Sequence, residues 1–254
     1  MDWLRTLPIA HRGLHDAAKG IVENSPSAFE AAARAGYAIE LDVRASSDGE
    51  VIVFHDRKLD RLTQQSGTLS DRTTHELTQI LLDGSADTIP TLKEVMSQVA
   101  GRVPLLIEIK NTGRLVGALE QAVANLIADY PYEVAVQSFN PYSMGWFAKN
   151  APGVLRGQIS EGYRDPDDDI RLAPHERFVL RHMLLNFICR PNFVAYEWQG
   201  LPTPSVRAAK AIGLPVLTWT VRNPDTWDQV APYADNLIFE KFRPALPPSD
   251  ASNG

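Results

Sequence analysis

Ala38-Ile39-Glu40-Leu41-Asp42-Val43-Arg44, followed shortly by Val51-Ile52-Val53-Phe54-His55-Asp56, decides the fold. The first run reads as a buried β-strand, and Glu40 and Asp42, two residues apart, share one of its faces. Ionised carboxylates on a core strand are costly unless paired or bound to a metal. Residues 45–50, which separate the runs, are too few for the crossover helix that a parallel neighbour needs. Asp48-Gly49 is a strong two-residue hairpin turn. A hairpin centred on that pair sets His55 opposite Asp42, which gathers His55, Asp42 and Glu40 at the top of one strand. An ordinary surface hairpin ending in a polar His-Asp pair is the competing reading.

Outward from this hairpin, short β-rich runs alternate with amphipathic helical stretches. The strands are expected at 8–12, 38–44, 104–110, 134–139, 155–160, 193–198, 215–221 and 236–240. Ser25-Pro26, Asn140-Pro141, Thr203-Pro204 and Asn223-Pro224 each place a capping side chain before a proline at the first helical position. Thr91-Leu92-Lys93-Glu94 reads as a capping box, and Gly36 and Gly213 as helix stops. The sixth helical segment is expected near 174–186. Strands alternating with helices imply parallel pairing, and eight such units in 254 residues imply a closed (β/α)8 TIM barrel. The expected organisation is a single TIM-barrel domain over 1–254, with the hairpin and a small insertion at about 45–89, after the second barrel strand.

Composition narrows the partners. Hydrophobic residues make up 44% and charged residues 22%, as in ordinary soluble domains. A net charge of -6 lacks the basic field that nucleic acid or an anionic membrane attracts, so no nucleic-acid partner is expected. Cys189 is the one cysteine, which rules out an intrachain disulfide and suits a reducing compartment. No secretory signal and no transmembrane run is visible, so the expected location is cytoplasmic. The run 244–254, rich in Pro, Ser and small residues, is expected to fray.

Barrel enzymes carry their chemistry at the C-terminal strand ends. Glu40 and Asp42 on the second strand and Glu108 on the third form an oxygen-only set. Such a set suits Mg2+ or Ca2+, with Mn2+ as a third candidate, better than Zn2+. A salt-bridge network with Arg12, Arg44 and Lys110 is the alternative. His11 and His55 flank these acids. Histidine titrates near neutrality, so one can take a proton while the other gives one. That pairing suits phosphodiester cleavage, where Arg12, Lys110 and a metal would offset phosphate charge. His15, His75, His175 and His182 read as structural or surface residues. Trp219, near the top of the seventh strand, is either barrel packing or an aromatic wall for the alcohol part of a substrate.

The ordered set of motifs resembles the glycerophosphodiester phosphodiesterases. It comprises Ala10-His11-Arg12-Gly13, Glu23-Asn24-Ser25, Ile39-Glu40-Leu41-Asp42-Val43, Asp48-Gly49 with Val53-Phe54-His55-Asp56, Leu62-Thr63, Pro90-Thr91-Leu92-Lys93-Glu94-Val95, Ile107-Glu108-Ile109-Lys110, Gln137-Ser138-Phe139 and Trp219-Thr220-Val221. The resemblance implies metal ligation by Glu40, Asp42 and Glu108, acid–base roles for His11 and His55, and phosphate contacts from Arg12 and Lys110. It places Glu23 and Asn24 near the site, with Asn24 orienting the metal shell or substrate. The implied reaction is hydrolysis of a small-molecule glycerophosphodiester to glycerol 3-phosphate and an alcohol. A lysophospholipase D-like phosphodiesterase and a non-catalytic phosphate-binding barrel are the alternatives. Two positions depart from the family pattern. Val22 stands where proline is usual, and Glu240 stands near the place of an aspartate, with a longer reach.

Overall fold

The computed structural model describes residues 2–111, 114–163 and 172–248. Among them the strands follow in the order β1 (Ile9–Ala10), β2 (Ala38–Ala45), β3 (Val51–Val53), β4 (Leu105–Ile109), β5 (Val134–Ser138), β6 (Leu155–Ser160), β7 (Phe193–Glu197), β8 (Val216–Val221) and β9 (Asn236–Phe239). All except β3 run parallel to their neighbours, and β1 pairs with both β2 and β9. The sheet therefore closes into the expected (β/α)8 barrel. The helices are α1 (Trp3–Thr6), α2 (Pro26–Ala35), α3 (Thr74–Leu77), α4 (Leu92–Val99), α5 (Ala118–Ala128), α6 (Pro141–Asn150), α7 (Pro174–Arg181), α8 (Asn186–Cys189), α9 (Pro204–Ala211) and α10 (Pro224–Val230).

Local chemistry starts the helices where the sequence says it should. Ser25, Asn140, Thr203 and Asn223 each accept a hydrogen bond from a backbone N–H in the first turn, with proline just inside. Thr91 and Glu94 close the capping box of α4.

Side-chain alternation on the strands splits the apolar residues into two layers. Ile39, Leu41 and Val43 of β2 and Leu105, Ile107 and Ile109 of β4 point outward, among Phe29, Val95, Val123 and Phe147 of the helices. Ile9, Ala38, Leu106, Ala135, Ile159, Phe193, Leu217 and Ile238 form a separate cluster with Trp3 and Leu4 of α1. Phe193 needs room there. A Cβ on the paired Gly157 would sit 2.1 Å from its ring, so the glycine makes space for the aromatic side chain. The Asn236 amide donates to the Leu7 carbonyl at 2.7 Å, which ties the segment after α1 to the start of β9. Above the apolar layer, the faces that carry Ala38 and Leu106 continue into Glu40, Asp42 and Glu108. Asp42 lies directly beside Glu108 in the β2–β4 register.

The hairpin register differs from the expectation. Val43 faces Val53 and Ala45 faces Val51, so the turn centres on Asp48 rather than on the Asp48-Gly49 pair. Phe54, not His55, comes opposite Asp42, and its N–H donates to the Asp42 carbonyl at 3.0 Å. The cause is a three-residue turn closed by Gly49 at φ 86, a left-handed value. Ser46 brackets this turn through its backbone and hydroxyl bonds with Glu50, while the Asp48 carboxylate leaves the turn to bind Thr74. The strand ends at Val53 and the chain bends at His55. Between β3 and α4, Phe54, Leu59, Leu69, Leu77, Leu82 and Ile89 pack with Val22 and Ile52 into a small core of their own.

The sixth helical segment is also shorter than expected. α7 stops at Arg181, Met183 takes φ 50, and α8 resumes at Asn186. At the C-terminal end, Tyr37 donates to the Pro244 carbonyl at 2.7 Å, so the run expected to fray begins tethered; its residues 249–254 lie outside the described residues. Among the described residues no helix is long and apolar enough to cross a membrane.

Candidate active site

The C-terminal strand ends open into a cavity of about 700 Å³. His11, Arg12, Glu40, His55, Glu108, Lys110 and Trp219 all line it, with Phe139, Arg222 and residues of α7. Asp42 sits just behind this lining, only 1% exposed. Glu23 and Asn24 reach the site through their partners.

One oxygen each from Glu40, Asp42 and Glu108 lies within 4.8 Å of the others. Two cations approach them. Lys110 Nζ is 2.5 Å from Glu108 Oε1 and 3.1 Å from Asp42 Oδ1, and Arg12 Nε is 3.3 Å from Asp42 Oδ2. The salt-bridge alternative is thus present in part, but it leaves the set under-neutralised. Glu40 has no cationic side chain within 4 Å among the described residues; it accepts the Arg12 backbone N–H at 3.0 Å. Glu40 Oε1, Asp42 Oδ1 and Glu108 Oε1 are buried without a well-directed hydrogen bond. Burial, with Asp42 and Glu108 alongside, pushes the Glu40 carboxyl well above the usual carboxylate range. Burial would raise Asp42 too, but Lys110, His55 and Arg12 hold it well below that range. Three converging buried carboxylates, two of which share one lysine ammonium while Glu40 Oε1 is left without a hydrogen-bond partner among the described residues, fit a divalent cation.

The backbone bends sharply to build this corner. Arg12 and Asn24 both take φ 55, a left-handed conformation uncommon outside glycine. The Asn24 N–H donates to the Arg12 carbonyl at 3.0 Å, so the two bends brace each other. Asn24 then grips Asp42 twice, donating from Nδ2 to Oδ2 at 2.8 Å and accepting the Asp42 N–H at 3.2 Å. Glu23 accepts from Arg12 Nη1 at 2.6 Å. From outside the cavity, Glu23 therefore holds the Arg12 side chain, and Asn24 holds Asp42 and the Arg12 backbone.

The two histidines share one design. His11 Nδ1 is 3.0 Å from Glu240 Oε2, and His55 Nδ1 is 2.6 Å from Asp56 Oδ1. A carboxylate on Nδ1 fixes that nitrogen as an N–H and leaves Nε2 as the ring atom that exchanges a proton with substrate. Burial lowers His11 to about 4 despite the Glu240 bond, so its imidazole is neutral at pH 7. Glu240 stays ionised, since bonds from His11, His15 and Arg222 overcome its burial. Arg222 Nε donates to Glu240 Oε1 at 2.6 Å, and His15 Nε2 lies 3.6 Å from Oε2.

Trp219 meets Phe139 edge to face, with ring centroids 5.4 Å apart, and Lys110 Nζ lies 5.9 Å from the Phe139 centroid. The indole Nε1 is buried without a partner among the described residues. Trp219 thus packs in the barrel and walls the cavity as well. Asp56, expected only as part of a His-Asp motif, orients His55; Arg61 and Arg222 carry no expected role; and His175, expected to be structural or at the surface, lines the cavity. Asp56 was legible as a carboxylate directly after a histidine. Arg61 and Arg222 give no signal, because Glu23 and Glu240 lie 38 and 18 positions away and no helical or strand spacing links Arg61 to Asp56.

The family model described as "Glycerophosphoryl diester phosphodiesterase family" matches residues 11–238. A glycerophosphodiester phosphodiesterase of Caldanaerobacter subterraneus is 36% identical over 168 residues, covering 61% of this chain and 67% of the relative. The crystal structure of a glycerophosphodiester phosphodiesterase from Thermotoga maritima superposes with a TM-score of 0.71 at 26% identity, over 92% of this chain and 94% of that one. An Oleispira antarctica phosphodiesterase, solved with the product sn-glycerol-3-phosphate, shares the fold with a TM-score of 0.76 at 21% identity, over 92% of each chain.

Proposed function

We propose, from the premise that this chain belongs to the glycerophosphoryl diester phosphodiesterase family, that residues 1–254 work as one phosphodiesterase unit. It hydrolyses glycerophosphodiesters to glycerol 3-phosphate and an alcohol, using His11 and His55 for proton transfer. One observation carries the reading: two histidines, each with Nδ1 tied to a carboxylate, line one cavity with Glu40 and Glu108.

Glu40, Asp42 and Glu108 would hold a divalent cation, Mg2+ or Ca2+ by their hard oxygen chemistry, with Mn2+ also suited. When bound, the cation supplies positive charge against the phosphate oxygens. Arg12 and Lys110 add two more positive charges, both held by the acids beside them. Glu23 and Asn24 fix Arg12 and Asp42 in place. Trp219 and Phe139 give the alcohol portion an apolar wall.

In this reaction one histidine Nε2 removes the proton from the glycerol hydroxyl next to the phosphate, and that oxygen bonds to phosphorus. The other histidine, which enters the step protonated on both ring nitrogens, gives its Nε2 proton to the departing alcohol oxygen as the bond from that oxygen to phosphorus breaks, and is left neutral. Water then opens the cyclic phosphate with the two roles exchanged. An internal nucleophile has an effective molarity that can reach roughly 10⁵ M or more. The test is glycerol 3-phosphate release from a diester panel, with chelator and with each cation restored. One member of the panel carries a methylated adjacent hydroxyl. Release that needs a divalent cation and fails with the methylated diester supports the scheme. Normal turnover of that diester replaces internal attack with water, and no release from any diester leaves a non-catalytic phosphate-binding barrel.

A second reading has its own observation. Leu172, Val179, Leu180 and Leu185, on and around α7, line one side of the cavity. An apolar rim of this kind suits a lysophospholipid, whose acyl chain would lie along it. Faster turnover of lysophosphatidylcholine than of glycerophosphocholine would establish it, and the reverse order would exclude it.

A further inference from the structure

We propose that Arg61, on the insertion after β3, is a positioning residue that sets His55 and Arg12 in a common frame. The inference rests on the hydrolysis proposed above. It assigns a role to a side chain that touches neither the three acids nor the cavity lining.

Arg61 bridges two carboxylates with its planar fork. Nε and Nη2 lie 2.5 and 3.0 Å from Asp56 Oδ2 and Oδ1. Nη2 and Nη1 lie 2.7 and 3.1 Å from Glu23 Oε1 and Oε2. Each carboxylate passes the constraint on. Asp56 Oδ1 also meets His55 Nδ1 at 2.6 Å, and Glu23 Oε1 also meets Arg12 Nη1 at 2.6 Å. An unbroken line of charge-assisted bonds therefore runs from His55 through Asp56, Arg61 and Glu23 to Arg12, whose Nε faces Asp42 at 3.3 Å.

Three physical points favour orientation over stability as the purpose. First, the Arg61 side chain is 46% exposed, and ion pairs at such positions contribute little to folding. Second, only a guanidinium offers two parallel donors to each of two carboxylates, which fixes angle as well as distance. A lysine ammonium would supply charge without that geometry. Third, burial would raise Glu23 and Asp56, yet both are held low, Glu23 at about 2, with Arg61 as the shared partner. Both carboxylates thus remain acceptors, which keeps the His55 proton on Nδ1 and leaves Nε2 open to substrate.

The position of Arg61 between the two arms gives a test that a simple structural pin would not pass. Asp56→Asn is expected mainly to lower kcat, because it loosens His55. Glu23→Gln is expected mainly to raise KM, because it loosens Arg12. Arg61→Ala should do both, lowering kcat/KM by about 10- to 100-fold, the usual cost of an outer-layer partner. Arg61→Lys should resemble Arg61→Ala, and added guanidinium ion should restore part of the Arg61→Ala activity. The melting temperature of every variant should stay close to that of the parent protein. Wild-type kinetics in Arg61→Lys, a change confined to kcat or to KM in Arg61→Ala, or a loss matched by a fall in melting temperature would overturn the proposal. A ring ¹⁵N spectrum of His55 supplies a readout independent of turnover. The Nδ1–H signal should be present in the parent and lost in Arg61→Ala; persistence of that signal would also overturn the role. If the parent cleaves no diester at all, the hydrolysis reading falls, and this spectrum still decides the part played by Arg61.

Discussion

On one side of the cavity mouth, Arg12, Glu23, Asp56 and Arg61 hold one another at 2.5 to 3.1 Å. On the other, α7 and the segment leading to α8 offer Val179, Leu180 and Leu185. In the closed strand order, the β1–β2 end and the β6–β7 connection that carries α7 lie across the barrel from each other. Polar groups that handle protons must be held to a fraction of an ångström, and short charge-assisted bonds do this. Apolar groups that accept an alcohol or an acyl chain need only shape and area. The division separates a rim built for chemistry from one built for fit.

The sharpest way to break this division is to strike the acids beneath the polar rim. Asp42→Asn is expected to lower kcat/KM by about 10³-fold, the upper scale for removing a preorganised charge from a transition state. Exhaustive chelation should do the same to the parent, with recovery on adding back Mg2+ or Ca2+. Full activity after chelation would show that the acids serve only Arg12 and Lys110. His11→Ala and His55→Ala come next, each expected to cost roughly 10²-fold or more in kcat. Near-parental turnover in either variant removes that histidine from the proton path.

Weaker effects belong to the apolar rim. Replacing Val179 and Leu185 together by serine should leave small water-soluble diesters unaffected. The same change should raise KM for a lysophospholipid about 10-fold, the order expected for lost apolar contact. An equal effect on both substrates would mean that the rim shapes the site as a whole. The smallest expected effect concerns how firmly α8, the short helix that follows this rim in the chain, is held. Cys189 ends α8, is fully buried, and its thiol is pushed by burial up to about 12. Alkylation at pH 8 should therefore be negligible until the protein unfolds. Rapid labelling of the folded protein would show that α8 opens locally.

The same contrast governs what the sequence reveals. Strand alternation, proline-flanked caps and the acids on β2 and β4 are local patterns, and each expected strand is found within two residues at its ends. The hairpin register was off by one residue because side-chain bonds decided it: Ser46 with Glu50, and Asp48 with Thr74. His55 lines the cavity nonetheless, since the chain bends just after β3 and the register no longer controls that side chain. Arg61, Arg222 and His175 escaped notice for a related reason. Their use depends on Glu23, on Glu240 and on the path of α7 across the mouth, and no spacing rule encodes those meetings.

β1 is two residues long and is held between β2 and the last strand, β9. His11 follows it immediately, and its orienting carboxylate Glu240 lies 229 positions further along the chain. During synthesis β1 therefore waits, unpaired on one edge, until β9 has emerged. Contacts so distant in sequence form late in folding, because the intervening loop must be closed at an entropic cost before they reward it. A chain that lacks its last strand has neither a closed sheet nor an aligned His11. Emergence of β9 and of Glu240 after it is thus the step that arms the histidine, and a chain cut before them carries this side chain without its orienting partner.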